Sequence, residues 1–308
     1  MDVNLTVLGT SAAVPAHKRH LSSHLLETDT ISILFDCGEA TQFQLKRFKK
    51  DFFKIDYIFI SHLHGDHFLG LPGLISTMNM MGRKSHLVIF SPPGLQKAIE
   101  PLFSLSNMSL DFSLEFIELS NIRAKKEVIS NELFSISVFP LEHSVETYGY
   151  IFRRYSEKLK INKSFVEKHK DIDVQWYPKI KNGSDYIDGE GNVYKNKDIT
   201  SLKIEDYSYA YCSDTRFNEA ISEYIKSVDL LYHESTYLQN DEDKAILRKH
   251  STAAQAARIA QLAEAKRLLL GHFSSRYKDV TDFKNEANDV FQGEVILAKE
   301  GLEIKISN

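Results

Sequence analysis

Residues 62–67 read His-Leu-His-Gly-Asp-His, and no other stretch constrains this chain as tightly. They follow an apolar, β-rich run from Ile55 to Ile60 and precede a small-residue stretch that starts at Gly70. Three imidazoles and one carboxylate in six positions serve no packing need. Histidine and aspartate are the usual nitrogen and oxygen ligands of Zn²⁺. In an extended segment His62 and His64 project to the same side, because side chains repeat every two residues. Asp66 and His67 lie past the strand end, where the chain can turn them to a second ion. The plainer reading is a histidine-rich surface loop, but short His-x-His pairs arise by chance far more often than the full pattern after a strand.

The chain has 308 residues and 43% hydrophobic content, enough for one large core or two smaller ones. The start, Met1-Asp2-Val3-Asn4, lacks the features of a signal peptide, and no apolar run approaches a membrane span. The two cysteines, Cys37 and Cys212, sit in β-like stretches and imply no disulfide framework. A soluble, cytoplasmic protein with no membrane partner is expected. The net charge of −4 argues against a globally basic nucleic-acid binder and leaves room for a local basic patch.

Strands are expected at 3–8, 31–36, 55–60, 86–90, 112–118, 133–139, 207–212, 228–232 and 268–270, with Val295 to Ile306 supplying the end. Helices are expected from Glu39 to Lys50, with Phe43 and Phe48 among the core contacts, from Asn218 to Ser227, and from Ser251 to Lys266. The last has Ser251 or Thr252 as cap and a run of alanines for close packing. This α/β order fits two sheets covered by helices.

Residues 153–203 differ in kind. They hold twelve Lys or Arg against eight Asp or Glu. Their apolar residues show weak periodicity, and Asn182-Gly183 and Asp188-Gly189-Glu190-Gly191 are turn signals. A solvated, irregular loop is one reading. The other is a flexible arm that grips an anionic polymer through Lys and Arg. Tyr155, Trp176, Tyr177, Tyr186 and Tyr194 offer aromatic faces, some of them serving the arm's own packing.

A two-metal site needs more ligands than the cluster supplies. His143, Asp214 and His272 each stand just past an expected strand, where loops gather functional groups. By position alone each is a candidate ligand or a hydrogen-bonded structural residue.

Several segments together resemble a known family. They are Phe35-Asp36-Cys37-Gly38-Glu39, Ser61 to His67, Leu141-Glu142-His143, Ser213-Asp214-Thr215, His233-Glu234-Ser235-Thr236, His250-Ser251-Thr252 and Gly271-His272-Phe273-Ser274-Ser275-Arg276-Tyr277. In this order they resemble ribonuclease Z, short form, the tRNA 3′-processing endoribonuclease of the metallo-β-lactamase superfamily. The cluster alone marks only the superfamily; the others narrow it. The resemblance implies one metallo-β-lactamase domain over 1–308, an αβ/βα four-layer sandwich, with 153–203 as an inserted tRNA-binding arm. It implies two Zn²⁺ per subunit. His62, His64 and His143 would hold the first, Asp66, His67 and His272 the second, and Asp214 would bridge them. Asp36 would fix a ligand imidazole from behind. Asp66 would also accept a proton from the attacking water, and His250, oriented by Glu234, would protonate the leaving ribose oxygen. The helix-cap salt bridge is the plain alternative for Glu234 and His250. The implied products are a tRNA 3′-hydroxyl and a trailer with a 5′-phosphate, made by a homodimer in which one subunit's arm holds tRNA cut by the other.

Lys18, Arg19, Ser274 and Arg276 are candidate substrate contacts, with a structural carboxylate pair as the alternative for Arg276. The family's basic loop reads Pro-x-Lys-x-Arg-Asn; here His17 replaces the lysine, Lys18 follows, and His20 replaces the asparagine. The arm has one proline, Pro178, where the family's arm tip is rich in Gly and Pro. Histidines 24, 86, 169 and 233 are expected to be structural or surface groups. A small-molecule phosphodiesterase or arylsulfatase-like hydrolase would share the metals but has no use for a basic arm. A metal-stabilised RNA-binding protein would need no proton donor, and a redox di-iron protein favours a carboxylate at one of the cluster's histidine positions.

Overall fold

The computed structural model describes residues 2–306, except the side chains at 156–158 and 203–205. Glu157, Lys158 and Lys203, counted in the arm's charge, therefore lie outside the described side chains. The described chain divides into two compact units.

The larger unit carries two seven-stranded sheets. In the first, the strands run in the order Glu303–Lys305, Val3–Gly9, Ser23–Thr28, Ser32–Phe35, Ile55–Phe59, Leu87–Ser91 and Leu114–Glu118. The last four are mutually parallel. In the second the order is Glu294–Leu297, Arg267–Gly271, Leu230–Glu234, Thr200–Cys212, Glu146–Ile161, Phe134–Glu142 and Lys126–Ser130. Here Thr200–Cys212, Leu230–Glu234, Arg267–Gly271 and Glu294–Leu297 pair in parallel. Parallel strands buried on both faces read as continuous apolar runs, as Leu268-Leu269-Leu270 does.

Aromatic rings join the two sheets. Phe35 lies 5.5 Å from both Tyr209 and Tyr211, and Phe59 lies 4.9 Å from Tyr150, all buried. The outer face of the first sheet is covered by helices Thr41–Arg47, Leu71–Met80 and Leu95–Leu105, whose Leu45, Leu74, Ile75 and Ile99 pack on Leu34, Ile58 and Ile89. Helices Ala253–Leu262 and Thr281–Asn288 cover the second. Ala253, Ala256, Ala257 and Ala260 are fully buried, and Thr252 caps their helix in a reciprocal box with Gln255. The result is the expected four-layer αβ/βα sandwich. Both cysteines are free and buried.

Three local expectations need correction. The first helix is shorter, Thr41–Arg47, because Ala40 enters it in a left-handed conformation, φ 68°. That phase turns Thr41, Gln44 and Leu45 inward and leaves Phe43 exposed, whereas Phe48 does pack on the core. The expected helix from Asn218 to Ser227 is a single turn, Ile221–Tyr224. The C-terminal stretch is two strands in different sheets, Glu294–Leu297 and Glu303–Lys305, broken at Gly301 with φ 81°.

The smaller unit comprises 132–134 and 154–206. It is folded rather than an irregular loop. Helices Lys163–Lys168 and Trp176–Lys181, the hairpin Tyr186–Ile187 with Val193–Tyr194, and the turn Asn196–Ile199 surround a core of Ile161, Phe165, Ile172, Ile180, Tyr186 and Ile199. Trp176, Tyr177 and Tyr194 pack against it, so these rings serve the unit's own core. Asp188 closes the hairpin by accepting from the backbone N–H of Glu190 (3.0 Å) and Asn192 (2.9 Å). Its apolar residues are spaced for short elements, which hides their periodicity.

Candidate metal centre

Four strands end where the site begins. Ile55–Phe59 delivers His62 and His64, and the turn Gly65–Phe68 swings Asp66 and His67 around. Phe134–Glu142, Thr200–Cys212 and Arg267–Gly271 release His143, Asp214 and His272 just past their ends. Functional groups commonly collect at such carboxyl ends of strands.

The seven side chains converge in two sets. His62 Nε2 lies 3.0 Å from His64 Nδ1, which lies 3.2 Å from His143 Nε2; His62 and His143 stand 3.6 and 3.8 Å from Asp214 Oδ2. On the other side, His67 Nε2 lies 3.4 Å from both Asp66 Oδ2 and Asp214 Oδ1. His272 Nε2 lies 3.6 Å from Asp66 Oδ2 and 3.1 Å from Asp214 Oδ1, out of line for a hydrogen bond. Each oxygen of Asp214 thus faces one set. Tetrahedral Zn²⁺ with bonds of about 2.0–2.1 Å has ligand atoms roughly 3.3 Å apart, which matches this spacing.

The outer atoms aim the inner ones. His67 Nδ1–H donates to Asp36 Oδ2 (2.7 Å), His143 Nδ1–H to the Lys249 carbonyl (2.9 Å), and His272 Nδ1–H to Thr236 Oγ1 (2.9 Å). His62 Nδ1–H meets Ser61 Oγ (3.0 Å), whose proton goes to Asp36 (2.9 Å). These four imidazoles therefore present Nε2 lone pairs, whereas His64 contacts Ser144 through Nε2 (3.3 Å) and presents Nδ1. Such outer bonds fix tautomer and ring orientation. Asp36 also accepts from the Ser61 N–H (2.7 Å) and the Tyr211 hydroxyl (2.7 Å). Asp36 and His272 hold left-handed backbone, φ 55° and 60°, an arrangement that surrounding contacts must sustain.

Buried atoms with no hydrogen-bond partner include His67 Nε2, His272 Nε2 and Asp214 Oδ1. Such atoms are costly unless something else satisfies them. Burial, then the neighbouring His67, pushes His62 well below its ordinary range; burial also lowers His143. Both are neutral, the form a metal requires. At His67 burial is outweighed by Asp214, Asp66 and Asp36, which demand positive charge at that point. The donor set suits two divalent cations.

Glu234 and His250 adjoin the two sets. Glu234 is fully buried and accepts from His250 Nδ1 (2.9 Å), from the backbone N–H of Ser251 (3.0 Å), Thr215 (3.2 Å) and Thr236 (2.9 Å), and from Thr236 Oγ1 (2.8 Å). Burial opposes charge on His250, but the Glu234 carboxylate overrides it and lifts the imidazole to about 9. The pair is a buried ion pair in which His250 lines the cavity and Glu234 stands fully buried behind it, beyond the cap bond of Thr252.

A cavity of about 720 Å³ opens onto the centre, lined among others by Ala13, Val14, Leu69, Lys249, His250 and Ser274. Lys18 and Arg19 do not reach it. They line a neighbouring cavity of about 770 Å³, and Arg19 donates to the carbonyls of Ser274 (3.1 Å) and Tyr277 (2.8 Å). Arg276 takes its structural alternative, lying 3.4 Å from Asp241 and over the Tyr237 ring. Among the remaining histidines, His24 and His233 are buried, and His86 faces Glu115 at the surface. Tyr211 and Lys249 carry no sequence signal, since nothing in their spacing marks them, and Ser61 stood inside the segment Ser61 to His67 without a role. Thr236 stood inside the His-Glu-Ser-Thr segment, without a role.

Two facing sheets whose strand ends gather paired His and Asp sets around a shared aspartate define the metallo-β-lactamase class. The structure is similar over 99% of this chain and all of the other to the crystal structure of human tRNase Z, short form, with TM-score 0.71 and 27% identity. It shares its fold with the metallo-β-lactamase fold protein YhfI from Bacillus subtilis, TM-score 0.68 at 20% identity, over 99% of this chain and 100% of that one. Residues 3–177 match the family model described as Anti-Pycsar protein Apyc1, which ends before Asp214, Glu234, His250 and His272. Ribonuclease Z of Cytophaga hutchinsonii is 42% identical over 309 aligned residues, covering 100% of this chain and 97% of the relative. Ribonuclease Z of Parabacteroides distasonis is 36% identical over 305, covering 99% of each. The chain belongs to the ribonuclease Z family.

Proposed function

We propose that this protein is a zinc-dependent endoribonuclease that removes the 3′ trailer from precursor tRNA. The observation that carries the reading is the pair of ligand sets meeting at Asp214, with His250, paired to the buried Glu234, lining the same cavity. His62, His64 and His143 would hold one ion, Asp66, His67 and His272 the other, and Asp214 both. A zinc pair there would supply Lewis-acid polarisation of the scissile phosphate and a nucleophile at neutral pH. Asp66, whose Oδ2 accepts the Ala13 N–H at 2.8 Å, would also accept a proton from the attacking water. As the bond from phosphorus to the ribose 3′-oxygen breaks, protonated His250 gives that oxygen its proton. Glu234 keeps the imidazole charged and aimed. The products are a tRNA with a 3′-hydroxyl and a trailer with a 5′-phosphate.

The unit around 153–203 would serve as the tRNA-binding arm of one metallo-β-lactamase domain, and a homodimer would let one subunit's arm hold tRNA for the other's centre. Ser274, in the cavity lining, and Lys18 and Arg19, in the neighbouring cavity, would then be contacts to the RNA backbone, whereas Arg276 is held by Asp241. No helix among the described residues is long and apolar enough to cross a membrane. The test is incubation with a 3′-extended tRNA transcript and mapping of the cut. Cleavage just after the discriminator base supports the reading; cleavage of small phosphodiesters with tRNA left whole favours a small-molecule phosphodiesterase.

A further inference from the structure

One hydroxyl touches both halves of the site. Thr236 Oγ1 lies 2.9 Å from His272 Nδ1, 2.8 Å from Glu234 Oε2 and 3.2 Å from His250 Nδ1. Thr236 is buried, 3% exposed, two residues beyond the strand Leu230–Glu234. A hydroxyl has one proton and two lone pairs. Its proton has one acceptor here, the ionised Glu234 Oε2. Its lone pairs then receive the Nδ1–H of His272 and a share of the Nδ1–H of His250, whose main acceptor is Glu234 Oε1 at 2.9 Å. All three valences are used, and no other arrangement satisfies every partner.

We infer that Thr236 is a positioning residue whose hydroxyl holds the metal centre and the Glu234–His250 pair in register. The inference rests on the proposed function for the second half of that statement and on the ligand geometry alone for the first.

Two consequences follow from the same bonds. Among the described residues, Thr236 is the one hydrogen-bond partner of His272 Nδ1, so it alone fixes which nitrogen of that ring faces Asp66 and Asp214. It also keeps His250 in its place. His250 Nδ1 lies 3.9 Å from Asp214 Oδ2, close enough for Asp214, His250 and His272 to form a third ligand cluster. With Nδ1–H committed to Glu234 and Thr236, that imidazole stays a hydrogen-bonded proton carrier. A valine of the same shape removes the hydroxyl, strands the His272 Nδ1–H and frees Glu234 Oε2 to turn, retaining only the backbone N–H at position 236. Thr→Val is nearly isosteric in volume, so the change is one of hydrogen bonding.

The test compares Thr236→Val and Thr236→Ser with the wild type. The first readout is zinc affinity of the metal-free protein, by competition with a chromophoric chelator. The second is the ratio of kcat/KM for 3′-extended tRNA to that for bis(p-nitrophenyl) phosphate, at saturating zinc. p-Nitrophenolate leaves without needing a proton, so the ratio reports on proton delivery. In Thr236→Val zinc affinity should fall about 10–100-fold, as for other residues that orient a ligand from behind, and the ratio should fall about tenfold or more. Thr236→Ser, which keeps the hydroxyl, should restore both to within a few-fold. Should Thr236→Val fail to fold, Thr236→Ala is read the same way. Loss in one readout without the other, or a serine variant as defective as valine, overturns the inference. Wild-type protein that binds zinc but leaves tRNA whole would sink the proposed function; a valine variant with wild-type zinc affinity would sink this inference.

Discussion

His143 and Lys249 hold each other twice. The imidazole Nδ1–H donates to the Lys249 carbonyl at 2.9 Å, and the Lys249 ammonium donates to the His143 carbonyl at 3.1 Å. Lys249 does this from left-handed backbone, φ 54°, at the end of the helix Glu242–Arg248, a position where glycine is the usual occupant. Its backbone N–H and that of His250 close the helix onto Ile246 and Ala245.

That geometry separates stability from ligand positioning. Lys249→Gly relieves a left-handed side chain, worth about 1 kcal/mol, and keeps the carbonyl that orients His143. It loses the ammonium that pins the His143 backbone. Urea unfolding of the metal-free variant should show stability within about 1 kcal/mol of wild type, while zinc affinity falls several-fold. Unchanged zinc affinity would mean the ammonium does not position His143.

Glu234 sets the charge on His250. The imidazole, at about 9, carries its proton below that pH and loses it above. If the protonated form delivers the proton, kcat/KM on tRNA falls as pH rises through that value. Glu234→Gln removes the carboxylate that opposes burial, so the alkaline limb should move to lower pH and activity at pH 8 should fall about 10²–10⁴-fold. A pH profile of both proteins checks this; an unmoved limb would remove Glu234 from the role.

The smaller unit has its own core, so its removal tests substrate capture apart from chemistry. Replacing residues 155–200 with a short Gly-Ser turn should weaken tRNA binding at least tenfold, as counterion-releasing contacts are lost. Hydrolysis of bis(p-nitrophenyl) phosphate should stay within a few-fold of wild type. Filter binding and a colorimetric assay measure the two, and equal losses would contradict an arm that acts only in binding.

His24 is buried between the sheets, bonded to the Tyr209 hydroxyl at 2.7 Å, and burial lowers it to about 3. Its ordinary value is about 6.5. Above 6.5 both folded and unfolded chains hold it neutral. As pH falls below 6.5 only the unfolded chain takes the proton, so stability drops by up to about 1.4 kcal/mol per pH unit, levelling off near pH 3. Urea midpoints between pH 7 and 5 should fall more steeply in wild type than in His24→Asn. Parallel slopes would show that His24 is not held neutral.

The histidine cluster was legible because its chemistry is dense in sequence: His62, His64, Asp66 and His67 share one strand end, and their convergence follows from local geometry. His143, Asp214 and His272 were legible only as groups past strands, since long-range folding, not spacing, brings them together. The resemblance to ribonuclease Z joined them, and in the structure their donor atoms lie within 4.8 Å of one another in each cluster. What escaped lies where tertiary packing decides. Phe43 has a helix-face spacing that Ala40's left-handed entry rotates outward. The core of the smaller unit, from Ile161 to Ile199, belongs to elements too short to show a period. Tyr211 and Lys249 touch the site through a hydroxyl and a carbonyl, which no spacing announces.

Everything rests on Asp214 sharing its two oxygens between two ligand sets. The most direct measurement is the zinc content per chain of wild type and Asp214→Ala, by elemental analysis after dialysis against buffered zinc. Two zinc ions per wild-type chain, with the variant reduced to one or none, is the predicted result. A wild-type chain with no tightly held zinc, or a variant that keeps both ions, would contradict it.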